Sequence, residues 1–129
     1  MRSILFVCTG NTCRSVIAEG LAREHFGTSV RVESAGIRPQ KASDAQSAIM
    51  VLKVEFNADA SAHVPRDVQS LDLTEFDQVV AMDKYVAAEL RKLTDRDIVV
   101  WKIEDPWGGQ EYRECALKTM KQLNRLELK

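Results

Sequence analysis

No stretch of this sequence approaches the roughly 20 consecutive apolar residues that a membrane-spanning helix requires. The apolar start, Met1 to Val7, is far too short for a signal peptide. An excess of one charge is also missing. The 18 Lys and Arg residues nearly balance 19 Asp and Glu, for a net charge of −1. That balance leaves no footprint for nucleic acid and no attraction to an anionic membrane surface. Cysteine is sparse. Cys8, Cys13 and Cys115 are an odd number and do not make a secreted disulfide framework. A cytoplasmic protein with reduced, chemically available thiols is therefore expected. There is no internal repeat, low-complexity tract or linker, so residues 1–129 are expected to form a single domain, long enough for a core without disulfide staples.

What is present is an alternation of two periodicities. Ser3-Ile4-Leu5-Phe6-Val7 reads as a strand buried on both faces. A polar loop, Cys8 to Arg14, follows, and a helix is predicted from about Ser15, with Ile17, Ala18, Leu21, Ala22 and Phe26 on its apolar face and Gly27 as its stop. Val30 to Ala35 reads as a second strand and Ser43 to about Lys53 as a second helix. Val54 to Leu73 is expected to be irregular. Asp77 to Met82 reads as a third strand, Lys84 to about Leu93 as a helix, Ile98 to Trp101 as a fourth strand, and about Gln110 to Leu128 as a final helix carrying Cys115 on its apolar, core-facing side. This order predicts an α/β fold with three layers, a four-stranded parallel sheet flanked by helices. Such sheets bind ligands beyond the carboxyl ends of their strands. Cys8 lies at one such end and Asp105 just beyond another.

The segment Cys8-Thr9-Gly10-Asn11-Thr12-Cys13-Arg14-Ser15 carries the chemistry. A short loop between a strand and a helix can turn successive N–H groups inward and ends at the positive pole of the helix dipole, which makes an anion site. Gly10 allows close approach of the backbone, and Arg14 offers a planar fork that matches two phosphate oxygens. The same field should favour the Cys8 thiolate. Ser15 is placed either to cap the helix or to hydrogen-bond the sulfur. A cysteine at the end of a buried strand is ordinarily a small core hydrophobe. Gly two, Asn three, Arg six and Ser seven positions beyond it set this one apart as a nucleophile able to form a covalent intermediate. A proton donor for the leaving group is then needed. Asp105 is the candidate, held out of a helix by Pro106, with Glu104 and Asp97 as competitors.

These residues resemble the low-molecular-weight protein tyrosine phosphatase family over essentially the whole chain. Phe6 to Ser15 is similar to its phosphate loop, Ser34-Ala35-Gly36 to the segment after its second strand, Phe76-Asp77 through Val80-Ala81-Met82-Asp83 to its third strand, and Asp105-Pro106 to its general-acid loop. The resemblance implies hydrolysis of a phosphorylated protein substrate, no metal and no organic cofactor, and a monomer is expected. It implies Cys8, Arg14 and Asp105 as catalytic, and Thr9, Gly10, Asn11, Thr12, Cys13, Ser15 and Trp107 as substrate-binding. Asn11 would brace the loop, helped by Ser34 and His63, and Cys13 would be able to form a reversible disulfide with Cys8 or else pack beneath the loop. Phosphotyrosine is the expected substrate. Thr12 in place of an apolar residue, and Asp-Pro-aromatic-Gly-Gly at Asp105 to Gly109, are similar to the bacterial protein-arginine phosphatase branch, which is the alternative. The same scaffold also hosts arsenate reductases. This chain lacks the two further cysteines of a thioredoxin-coupled relay, so only a version using an external thiol is compatible.

Overall fold

The computed structural model describes residues 2–106 and 109–126. Four strands, β1 (Arg2–Cys8), β2 (Val30–Gly36), β3 (Gln78–Ala81) and β4 (Val99–Val100), form one sheet in the order β2-β1-β3-β4. All three pairings are parallel, with Cys8 opposite Gly36 and Val7 opposite Ala81 at the carboxyl ends. Four helices complete the α/β fold: α1 (Arg14–Phe26), α2 (Gln46–Phe56), α3 (Lys84–Arg91) and α4 (Gly109–Arg125).

The continuous apolar run of β1 has a simple cause: the strand is buried on both faces. Ile4, Phe6 and Cys8 point into the core shared with α1, α2 and α4, where Phe6 lies against Trp101 at 5.4 Å between ring centroids. Leu5 and Val7 point into the core shared with α3, with Phe76, Val79 and Leu90. Each such fully buried side chain contributes on the order of 1.5–3 kcal/mol. Cys115 is buried in the first core, as its place on the apolar side of the last helix predicts, while Met120 on the same helix is 39 % exposed.

The elements are those the alternation predicts, with shifted boundaries. The second helix begins later than Ser43, because Ala42–Ala45 forms a 3-10 turn, and it runs on to Phe56. Asn57 stops it in the left-handed region (φ 52°), where the Ala58 N–H bonds back to the Leu52 carbonyl, a helix-end arrangement open to Asn as well as Gly. Within the irregular stretch, Val68–Ser70 and Leu73–Glu75 form further 3-10 turns. Among the described residues no helix is long and apolar enough to cross a membrane.

The chain leaves β1 toward β2 on one side and returns to β3 on the other. The crevice between the carboxyl ends of β1 and β3 is thus where the strand order reverses, the place where open α/β sheets bind ligands.

Candidate active site

Five carbonyls of the loop after β1 have partners that dictate their direction. The carbonyl of Cys8 accepts from Ile37 N at 3.1 Å, that of Thr9 from Arg38 N at 2.8 Å and that of Gly10 from Gln40 N at 3.0 Å. The Asn11 carbonyl accepts from His63 Nε2 at 2.7 Å, and the Cys13 carbonyl bonds Ile17 N at 2.9 Å within the helix. In a planar trans peptide the C=O and the following N–H point in opposite directions, and the described chain has no cis bond. Carbonyls drawn outward therefore turn the N–H groups of Thr9, Gly10, Asn11, Thr12 and Arg14 inward, which forms an anion cradle.

A glycine of β2 makes this possible. A Cβ on Gly36 would meet Thr9 O at 2.8 Å and Asn11 N at 2.9 Å, so only glycine lets β2 pass this close to the loop. At Gly10 the obstacle is Gln40: a Cβ there would lie 2.6 Å from Gln40 Oε1. Gln40 also accepts from the Thr12 hydroxyl at 2.9 Å and so covers this side of the loop.

Asn11 adopts the left-handed conformation (φ 55°), which Asn tolerates better than most residues. Its buried amide explains why it stays there. Nδ2 donates to Ser15 Oγ at 2.8 Å and to Ser34 Oγ at 2.9 Å, and Oδ1 accepts from Arg66 N at 2.9 Å. The Ser34 hydroxyl in turn donates to Glu19 Oε1 at 2.7 Å. His63 contacts the same carboxylate through Nδ1 at 3.7 Å. Burial alone would raise the Glu19 carboxyl, but the contacts with His63, Ser34 and Arg23 hold it below the ordinary range, so it remains charged. A pocket of about 320 Å³ behind the loop is lined by Glu19, Ser34, His63 and Arg66, the groups of this brace.

Ser15 lies inside the first turn of α1 and does not cap it; its Oγ lies 2.9 Å from Cys8 Sγ, both atoms buried. Arg14, 5 % exposed, donates through Nη1 to Asp83 Oδ2 at 2.6 Å and to the Ile103 carbonyl at 3.1 Å. Burial works against its charge, but the Asp83 hydrogen bond and the nearby Cys8 and Asp105 more than offset this. The same partnership holds Asp83 below the usual carboxylate range against its own burial. Arg14 Nε is buried without a hydrogen-bond partner and lies 3.7 Å from Asp105 Oδ1. Asp105 is mostly exposed, its side chain 69 % accessible. Arg14, Asp83, Ile103, Glu104 and Asp105 share one cleft of about 710 Å³.

The structure thus brings Cys8, Arg14, Ser15 and Asp105 together at the carboxyl ends of the strands, with Asn11, Ser34 and His63 behind them. Of the two competing acids, Glu104 also lines the cleft and Asp97 does not. Trp107 lies outside the described residues. Cys13 stands at the start of α1, half-buried and unbonded to Cys8, and burial, followed by Cys115 and Asp105, pushes its thiol up. Cys115 is likewise pushed up, to about 11, chiefly by burial. Among the described residues, no group of three or more His, Cys, Asp or Glu side chains is placed to hold a metal ion.

The sequence profile described as low molecular weight phosphotyrosine protein phosphatase matches residues 3–127. The chain belongs to this family. Named relatives in it carry two activities. An arsenate reductase of Staphylococcus xylosus is 38 % identical over 114 residues, covering 88 % of this chain and 84 % of that protein. Low molecular weight phosphotyrosine protein phosphatase 2 of Drosophila melanogaster is 30 % identical, covering 98 % and 93 %. The crystal structure of a low molecular weight protein tyrosine phosphatase from T. tengcongensis superposes with a TM-score of 0.79 at 28 % identity, covering 98 % of this chain and all of that one. An arsenate reductase in the oxidized state shares the fold, with a TM-score of 0.85 at 21 % identity and coverage of 98 % and 96 %.

Glu19 and Gln40 are site residues that sequence reasoning missed. Glu19 had a weak signal, four residues after Ser15 and hence one helical turn along α1. Gln40 had none.

Proposed function

We propose that this family member is a protein phosphatase that hydrolyses phosphotyrosine through a cysteinyl-phosphate intermediate. The observation that carries the reading is Arg14 Nε, a buried cationic donor without a hydrogen-bond partner. Native proteins rarely leave such a group unsatisfied without a functional reason. Here it faces the cleft that holds Asp105 and stands six residues from Cys8, whose sulfur already has one hydrogen-bonding neighbour, Ser15.

The phosphoryl oxygens lie in the cradle of N–H groups and against Arg14. The Cys8 thiolate attacks phosphorus, and Asp105 gives its proton to the departing phenolic oxygen. The same carboxylate then takes a proton from water, which attacks the cysteinyl phosphate, releases inorganic phosphate and restores the Cys8 thiolate. Ser15 donates to the sulfur when it leaves.

A second reading, hydrolysis of phosphoarginine, is favoured by one observation. The loop carries a hydroxyl at Thr12, held by Gln40, where an apolar side chain would suit an aryl group. Arsenate reduction with an external thiol needs only Cys8 and is the third; no cysteine lies between Cys13 and Cys115 to take part in an internal relay.

The test is a side-by-side assay on phosphotyrosine, phosphoserine and phosphoarginine peptides, with arsenate reduction as a control and Cys8→Ser as the inactive reference. Turnover of phosphotyrosine peptide, lost in Cys8→Ser, is expected. Turnover confined to phosphoarginine would transfer the assignment to the second reading, and thiol-dependent arsenate reduction alone would overturn both.

A further inference from the structure

The segment after β2, Ile37-Arg38-Pro39, brings no aromatic ring to the site, and Phe6, Phe76 and Trp101 are buried in the cores. One described aromatic does line the cleft. Tyr85, the second residue of α3, is 72 % exposed and shares that cleft with Arg14, Asp83, Ile103 and Asp105. A lone exposed aromatic needs no explanation elsewhere on a surface. On this wall it has two further properties.

Its place is fixed relative to the anion site. Asp83 uses one carboxylate oxygen to cap α3, accepting from Val86 N at 2.8 Å, and the other to hold Arg14 Nη1 at 2.6 Å. The first turn of α3 is thereby tied to the guanidinium, and Tyr85 sits in that turn. Its ring also accepts a cation against one face, Lys84 Nζ lying 5.3 Å from the ring centroid. A face in that position offers offset stacking to a phenyl ring and a cation–π contact to a guanidinium.

We propose that Tyr85 is a substrate-binding residue whose ring forms a wall for the planar group that bears the phosphoryl moiety. The shared chemistry is a flat π-system within two bonds of phosphorus, which both phosphotyrosine and phosphoarginine possess and phosphoserine lacks. The inference rests on the phosphatase reading for its substrate, while the ring contact itself can be measured without turnover.

The experiment is calorimetric titration of the wild type, Tyr85→Phe and Tyr85→Ala with benzylphosphonate and with methylphosphonate. Loss of one stacking partner should weaken benzylphosphonate roughly 3- to 10-fold in Tyr85→Ala. Methylphosphonate, which has no ring, should bind all three proteins alike, and this also reports an intact anion site. Tyr85→Phe keeps the ring and should match the wild type with both ligands. On peptides, KM for phosphotyrosine or phosphoarginine should rise more than kcat falls, with phosphoserine little affected. Equal losses for both phosphonates would make Tyr85 a support of the loop, and no loss for benzylphosphonate would remove it from the site; either result overturns the proposal. If no peptide is turned over but the benzylphosphonate effect appears, the phosphatase reading falls and the wall stands. If the wild type binds neither phosphonate, both fall.

Discussion

Asn11 Nδ2 donates to Ser15 Oγ at 2.8 Å, and this bond determines what Ser15 can do for Cys8. With one lone pair taken by the amide, the hydroxyl keeps its own proton available to a thiolate at the sulfur 2.9 Å away. The same amide bonds Ser34, which bonds Glu19. A half-buried carboxylate is thus linked through two hydroxyls and one amide to the proposed nucleophile. Ser15→Ala should slow the second step, where the thiolate leaves, by about 10²-fold, the usual cost of one donor to a developing anion. Rapid-quench experiments should then show cysteinyl phosphate accumulating. A reduced rate without accumulation would place Ser15 in loop structure alone.

Arg14 is expected to tolerate no cationic substitute. Lysine keeps the charge but loses the fork that reaches Asp83, the Ile103 carbonyl and, through Nε, a ligand. Arg14→Lys should lower kcat/KM by about 10²–10³-fold and weaken phosphate inhibition. Unchanged kinetics would remove the clamp from the mechanism.

Asp105→Asn keeps size and hydrogen bonding but removes the proton. The loss should be about 10²–10⁴-fold for unactivated phenyl phosphate and smaller for p-nitrophenyl phosphate, whose phenolate leaves without help. Equal slowing of both would mean that Asp105 is structural, and Glu104, on the same cleft, would be the next acid to test.

Glu19 gives a pH prediction with a definite sign. Its carboxyl is held below the unfolded value, so its contribution to stability is complete above the unfolded pKa of about 4.3 and is lost as pH falls through the lower folded value. Glu19→Gln should cost on the order of 1–3 kcal/mol near pH 7, as for hydrogen bonds to a charged group. The gap in Tm between the two proteins should close as pH drops below about 4. A gap constant from pH 7 to pH 3 would show that shape, not charge, is what Glu19 supplies.

Cys13 should act as a resolving thiol. Peroxide converts Cys8 to the sulfenic acid, Cys13 displaces water from it, and an added dithiol restores both thiols. Because burial pushes the Cys13 thiol up, disulfide formation should accelerate as pH rises from 6 to 9. Mass spectrometry should find the Cys8–Cys13 link, and Cys13→Ala should lose activity irreversibly under the same dose. Full recovery in Cys13→Ala would exclude it.

The alternation of strands and helices, the loop Cys8 to Ser15 between the first of each, and the position of Asp105 beyond the fourth strand are all legible along the chain. These rest on local rules: periods of 2 and 3.6, turn residues, and functional groups spaced along one loop. It takes the folded chain to show that Asp83 both caps α3 and clamps Arg14, that Gln40 covers Gly10 and Thr12, that Glu19 anchors Asn11 through Ser34, and that Tyr85 lines the cleft. Even Ser15, left open between capping and bonding the sulfur, needed the placement of Asn11 to be resolved. The physical reason is distance along the chain. The contacts that orient Arg14 lie 69 and 89 residues away, and Arg66 reaches Asn11 across 55. Periodicity says which side of an element is apolar, but which groups meet across the crevice follows from how β2, β1 and β3 align in the sheet.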